Sequence, residues 1–170
     1  TGKAGGAVAR ALAAADQPLR VLVRDAEKAE PLKALGAEIA VGDLSDPEAV
    51  RQAMQGIKGA FLVMPNTQDQ ETLEKQFIDL AVECGVPHLA YLSSLESVPE
   101  STNPITRAHV AVEEHLRASR LGWTMIRPTF FMQIFLASAG RIAATGKIVM
   151  PAGEGTVPAT DLRDVAEVVV

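Results

Sequence analysis

Short β-branched runs alternate with helix-length amphipathic stretches along nearly the whole chain, and this alternation limits the available folds more than any single motif does. Leu19 to Val23, Glu38 to Val41, Gly59 to Met64, His88 to Leu92 and Trp123 to Ile126 have the length and composition of strands. An Ala-rich helix from Gly5 to Ala15 precedes the first of them and is broken by Pro18. Asp25 can cap a helix to Leu35, which Gly36 closes, and Ser45 with Glu48 three positions on forms a capping box before a helix that Gly56 ends. Asp69 to Glu83 repeats Leu73, Phe77, Leu80, Ala81 and Cys84 at helical spacing; Pro104 opens a helix to about Arg120, with Ile105, Ala108, Val112 and Leu116 on one face. Strands separated by such helices run parallel and are joined by right-handed crossovers. The expected fold is α/β, an open doubly wound parallel sheet.

Composition narrows the function classes. With 170 residues, 48% hydrophobic and 22% charged, the chain suits one globular domain that buries roughly 70% of its unfolded surface. Sixteen Lys and Arg against twenty-one Asp and Glu leave a net charge of −5 with no like-charge run, which argues against a nucleic-acid partner. No stretch approaches the roughly 18 apolar residues of a membrane span. Cys84 stands alone, so it forms no internal disulfide and reads as a small buried hydrophobe; a reducing, cytoplasmic setting is expected. The chain starts at Thr1-Gly2 without an initiator Met and stops within Val168-Val169-Val170, as a piece truncated at both ends would.

Gly2-Lys3-Ala4-Gly5-Gly6 stands directly before the first helix, where glycines let backbone approach a phosphate that the helix N-terminus favours. Alone, the pattern equally describes a flexible helix start. Arg24 adds weight, because it ends a strand 22 residues after Gly2, near the spacing at which ribose selectivity is set. A guanidinium there suits a 2′-phosphate where a carboxylate would suit a free 2′-hydroxyl, so Arg24, with Lys28 one helical turn on, points to NADP(H) over NAD(H). The competing reading is an ordinary solvated Arg and Lys. Asp43, after the next strand, can accept from an adenine amino group or be a plain turn residue.

Thr1-Gly2-Lys3-Ala4-Gly5, Val21-Leu22-Val23-Arg24-Asp25, Gly42-Asp43-Leu44, Tyr91-Leu92-Ser93-Ser94 and Trp123-Thr124-Met125-Ile126-Arg127-Pro128, in that order, resemble the NmrA-like group of atypical short-chain dehydrogenases/reductases. Phe61-Leu62-Val63-Met64-Pro65 and the run from Val157 to Ala166 agree with it. The resemblance implies a Rossmann-like NAD(P)-binding domain over residues 1–170 that lacks the first strand and most of the C-terminal substrate-binding portion. In the order 3-2-1-4-5-6 the first strand is central, so its loss leaves two ladders unpaired and poor folding is expected. It further implies that Gly2, Lys3 and Gly5 line the pyrophosphate, Arg24 and Lys28 hold the 2′-phosphate, and Asp43 and Leu44 flank adenine. Met64 and Pro65 would border the nicotinamide ribose, Ser93 and Ser94 would lie beside the nicotinamide, and Pro128, Thr129 and Phe130 would cover its far side. Phe131 and Met132 would face substrate, although Phe130, Phe131 and Met132 also suit a core.

The Tyr-x-x-x-Lys pair of many short-chain reductases is absent. The family's Lys-x-x-Val-Glu falls on His109-Val110-Ala111-Val112-Glu113, which puts His109 at the lysine position, as in the NAD(P)H:quinone reductase branch. An imidazole there can donate a proton as hydride reaches a quinone; it can equally be a hydrogen-bonded core histidine. His109 and Glu113 fall short of the three ligands a metal needs, so no metal is expected. The expected function is an NADP(H)-dependent oxidoreductase passing hydride to a small, quinone-like acceptor. The alternative is an NADP(H)-sensing regulator without turnover.

Overall fold

The computed structural model describes residues 2–150 and 153–170; Thr1, the first residue of the glycine turn, lies outside them. The chain runs α1 (Lys3–Ala14), β1 (Arg20–Val23), a 3-10 turn (Glu27–Ala29) leading into α2 (Glu30–Lys33), β2 (Glu38–Val41), α3 (Pro47–Met54) and β3 (Ala60–Leu62). It continues α4 (Gln70–Glu83), β4 (His88–Leu92), α5 (Pro104–Ala118), β5 (Gly122–Ile126), β6 (Phe130–Phe131), α6 (Ile134–Ala137), α7 (Ala139–Thr145), β7 (Ala159–Thr160) and α8 (Leu162–Val169). Every strand pairing is parallel: β1 with β2, β4 between β3 and β5, and β6 with β7. Among the described residues β1 and β3 do not pair with each other.

The two-residue period of β4 separates the core into two faces. Leu89 and Tyr91 point toward α3, α4 and α5, where they join Val50, Met54, Ile78, Ala81, Val112 and Leu116. Ala90 and Leu92 point the other way, toward Ala4 of α1 and Leu162 and Val165 of α8. Under β1 and β2 a smaller cluster unites Ala9, Leu32 and Ala37. Helices therefore cover both faces of the sheet, as a doubly wound fold requires.

The five strands lie where the hydrophobic pattern puts them, but several local expectations change. Asp46, not Ser45, caps α3: its carboxylate accepts from the Glu48 and Ala49 backbone N–H groups, and Ser45 instead donates to Asp43. Asp25 accepts from the Glu27 N–H at the start of a 3-10 turn rather than of a full helix. Cys84 is exposed. The reason is the end of α4: Gly85 adopts φ +68°, and the N–H groups of Gly85 and Val86 return to the carbonyls of Val82 and Ala81. That closing motif buries Val86 in the place Cys84 was expected to fill. On α5 the buried line is Thr106, His109, Val112, Glu113 and Leu116, whereas Ile105 is 43% exposed. Polar residues thus occupy helical faces that apolar periodicity alone assigns to Ile105 and Leu73.

Candidate functional site

Parallel strands gather their carboxyl ends on one rim, which is where open α/β sheets take ligands. Arg24 follows β1, Asp43 and Leu44 follow β2, Met64 and Pro65 follow β3, Ser93 and Ser94 follow β4, and Pro128 and Thr129 follow β5. The start of α1 belongs to the same rim, because a Cβ on Gly5 would lie 3.6 Å from Val63 just beyond β3. Gly2 caps α1 with extended backbone and no side-chain acceptor, and a Cβ there would meet nothing within 4 Å. The first N–H groups of α1 therefore carry no side-chain cap, and Lys3 stands exposed beside them. An uncapped helix start on the strand rim fits the diphosphate of a dinucleotide. Gly42 has a different purpose: a Cβ there would lie 2.5 Å from that of Ala49, so the glycine admits α3 against the end of β2.

Arg24 is 80% exposed, with its Nε 3.7 Å from Asp43 Oδ2. Asp43 is held below its usual carboxylate range by hydrogen bonds from the Ser45 backbone and hydroxyl. It thereby offers a fixed negative charge against which the guanidinium can rest. Lys28 pairs with Asp25 at 3.1 Å rather than with this group. Leu44 is half-buried against the core cluster of α3, α4 and α5.

Two hydrogen-bonded chains run beneath the rim. In the first, Gln70 of α4 donates to Glu74 Oε2 at 3.2 Å; the Tyr91 hydroxyl lies 2.8 Å from the same oxygen and 2.6 Å from His109 Nδ1. Glu74 and Tyr91 are fully buried and His109 nearly so, while Glu74 Oε1 is buried without a partner. Burial raises Glu74 to about 7 despite its two donors, and burial followed by the Glu74 charge pushes the Tyr91 phenol far up. Burial also holds His109 below its ordinary value, against a smaller opposing pull from Glu113. His109 is thus held toward its neutral form with Nδ1 against the Tyr91 hydroxyl, and its Nε2 makes no hydrogen bond to the described residues.

The second chain centres on Glu113 of α5. Ser93 Oγ donates to Glu113 Oε1 at 2.6 Å, Arg127 binds both carboxylate oxygens, its Nε at 2.7 Å from Oε1, and Arg117 donates to Oε2 at 2.7 Å. Burial raises this carboxyl, but the hydrogen bonds from Arg127, Ser93 and Arg117 and the charge of Arg127 outweigh it and hold Glu113 low. The carboxylate ties the ends of β4 and β5 to α5. Ser93 is committed to this brace, and Ser94 beside it is half-buried and turns the chain toward Glu96.

Thr129 is bonded to Thr160 through both its N–H and its hydroxyl, and Gln133 bridges Asp161 to the start of α8. Phe131 packs on the core with Leu162 and Val165. Phe130 instead lines an apolar cleft of about 210 Å³ with Ile134, Phe135, Ile142 and Ile148, while Met132 is exposed. A larger cleft, about 370 Å³, lies between Asp79 and His115 on the outer side of α4 and α5, away from the rim. Among the described residues no group of three His, Cys, Asp or Glu is placed to hold a metal. No described helix is long and apolar enough to cross a membrane.

The model of the NmrA-like family matches residues 1–170. Over 170 residues the chain is 37% identical to the NAD(P)H azoreductase of Xenophilus azovorans, covering all of this chain and 59% of that protein. The Citrobacter sp. triphenylmethane reductase complexed with NADP(H) superposes with a TM-score of 0.84 at 28% identity, over 97% of this chain and 60% of its own. The Escherichia coli NADPH-dependent quinone oxidoreductase complexed with NADPH gives 0.84 at 25% identity, over 97% and 59%. The chain spans about three fifths of the length of these proteins.

Proposed function

The chain belongs to the NmrA-like family, and from that premise we propose that residues 1–170 form the NADP(H)-binding domain of an oxidoreductase that passes hydride to a small conjugated acceptor, quinone-like in character. The observation that carries the proposal is the rim itself: an uncapped helix start at Gly2, Lys3 and Gly5 shares it with an exposed Arg24 steadied by Asp43. The three relatives bear names for azo, triphenylmethane and quinone acceptors, all extended π systems, and this supports the acceptor class.

In this reading Gly2, Lys3 and Gly5 hold the diphosphate and Arg24 takes the 2′-phosphate, which gives preference for NADP(H) over NAD(H). Lys28 is the weaker contributor, being paired with Asp25. Asp43 and Leu44 flank adenine, Met64 and Pro65 border the nicotinamide ribose, and Ser94, Pro128, Thr129 and Phe130 frame the ring. Ser93 acts from behind through Glu113. Phe130 and Met132 reach toward the acceptor, with Phe131 as their anchor in the core. The bound nicotinamide supplies hydride. His109 supplies the proton, and because a reduced quinone is aromatic it needs little further acid help.

The test is NADPH oxidation followed at its absorbance with a panel of quinones and azo dyes, in the chain and in His109→Ala. Consumption that falls about 10²-fold in the variant supports the assignment. Tight NADP⁺ binding without consumption of any acceptor refutes it and leaves a cofactor-sensing regulator.

A further inference from the structure

Resting on the reductase reading, we propose that Glu74 is an internal proton store that delivers through the Tyr91 hydroxyl to His109 Nδ1, so that the ring remains a neutral imidazole as it gives up its Nε2 proton. Three groups from three elements, α4, β4 and α5, meet in one line at 2.8 and 2.6 Å within the core. A tyrosine hydroxyl has one proton, so it cannot donate to Glu74 and His109 together. Two arrangements satisfy the same heavy atoms. With Glu74 protonated, the acid donates to Tyr91 Oη, Tyr91 donates to His109 Nδ1, and the imidazole carries its proton on Nε2. With Glu74 ionised, Tyr91 donates to the carboxylate, Nδ1–H donates to Tyr91 Oη, and Nε2 is bare.

The step balances. The acceptor gains hydride, with its electron pair, from the reduced nicotinamide, and gains a proton from His109 Nε2. His109 Nδ1 then takes the Tyr91 proton and Tyr91 takes the Glu74 proton, leaving a neutral imidazole, an intact phenol and one carboxylate. The tyrosine never rests as a phenolate and the histidine never as an imidazolate. Glu74 is suited to the store because its donors, Gln70 and Tyr91, are both neutral. Buried with one oxygen unpartnered, it gains and loses its proton near pH 7.

Of the other charged groups on these elements, Arg107 and Glu114 of α5 are exposed, and those nearer the line are paired. Glu113 on α5 is paired with Arg127 and Arg117, and its charge acts on Tyr91 and His109 as a lesser influence than their burial. On the outer side His115 pairs with Asp79, Arg51 of α3 with Glu83, and Lys75 with Glu71. No cation among them touches Glu74. Glu74 and Tyr91 act through His109 and are positioning residues, not catalytic ones.

The decisive measurement is a ¹⁵N imidazole titration of the cofactor-free chain, with the three histidines assigned by substitution. His109 is expected to pass from the Nε2–H to the Nδ1–H tautomer as pH rises through about 7. In Glu74→Gln the amide donates to Tyr91 as the protonated acid does but releases nothing, so the ring stays Nε2–H from pH 6 to 9. Tyr91→Phe cuts the line and makes the tautomer insensitive to Glu74. With NADPH and a quinone, wild-type kcat falls above pH about 7. Glu74→Gln lowers kcat about ten-fold and flattens that limb, with KM for NADPH unchanged. A single His109 tautomer in the wild type across this range, or a switch that persists in Glu74→Gln, overturns the relay. The switch without any turnover upholds the relay and refutes the reductase reading, whereas turnover with an unswitching His109 does the reverse.

Discussion

Replacing Glu113 by Ala tests whether the brace beneath the rim carries stability, and its size follows from the exposure of each partner. The carboxylate is 1% exposed, whereas the side chains of Arg127 and Arg117 are 37% and 43% exposed. Water can rehydrate both guanidinium groups when the acid is removed, so each contributes about 0–1 kcal/mol. Ser93 is different: it is buried, and its 2.6 Å bond to the carboxylate leaves only Ser97 Oγ, at 3.2 Å, as a substitute. A hydrogen bond to a charged group contributes about 1.5–3 kcal/mol. Together the loss is about 3 kcal/mol, and with about 2–4 °C per kcal/mol for a domain of this size, calorimetry at pH 7 should record a melting temperature about 6–12 °C lower. The pH dependence supplies the sign. A carboxyl held lower when folded stabilises the fold above its unfolded value of 4.5, and that contribution is lost as pH falls through the folded value. The gap between wild type and variant should therefore close in acid. A drop below about 2 °C, or a gap that stays constant down to strong acid, refutes the argument.

Two further substitutions probe the rim. Arg24→Ala should weaken NADPH by about 1.5–3 kcal/mol in calorimetric titration and leave NADH nearly unchanged, since only the former offers a 2′-phosphate; equal losses for both refute that role. Gly42→Ala places a methyl 2.5 Å from Ala49 Cβ and 3.2 Å from Leu22 Cδ1, and should cost about 1–3 kcal/mol in urea unfolding. Ala49→Gly in the same chain reopens the space and recovers part of that loss, less about 1 kcal/mol for a helical glycine; a double variant as unstable as the sum of the singles would show that the close approach is not the cause.

The fold was legible because its signal is local. A β-branched run such as Leu19 to Val23 between a proline and an acidic turn can hardly be anything but a strand, and five such runs separated by helices leave one class of sheet. The rim was legible for the same reason, since Gly2, Arg24 and Asp43 each stand at an element's end. Tyr91 was not, because inside an apolar strand it reads as core, and its hydroxyl finds Glu74 17 residues before it and His109 18 after it. The usable signal was the polar pair Gln70 and Glu74, one helical turn apart on a face that also carries Ile78 and Ala81. Glu113 offered a similar hint four positions after His109, but its meaning depends on Arg127, fourteen residues away at the end of β5. Cys84 was misplaced for the opposite reason: its helix ends one residue before the periodicity would bury it.

The two acids beside Tyr91 show how partners, rather than burial, decide what a buried carboxyl does. Both are essentially shut off from water, and burial alone would raise both. Glu113 meets two guanidinium groups and a hydroxyl, stays charged, and is lowered; Glu74 meets only a neutral amide and a neutral phenol, and is raised to about 7. A carboxylate that stays charged pins β4, β5 and α5 in one register, so the 2.6 Å contact of Tyr91 with His109 is held whichever acid form Glu74 takes. A proton can then cross three groups without a change of rotamer. Remove the brace and the relay loses its fixed distances; give Glu74 a cation and it loses its proton. One carboxyl must stay charged and the other must be free to exchange its proton for the pair to work, and the sequence separates them by placing Arg117 and Arg127 within reach of Glu113 alone.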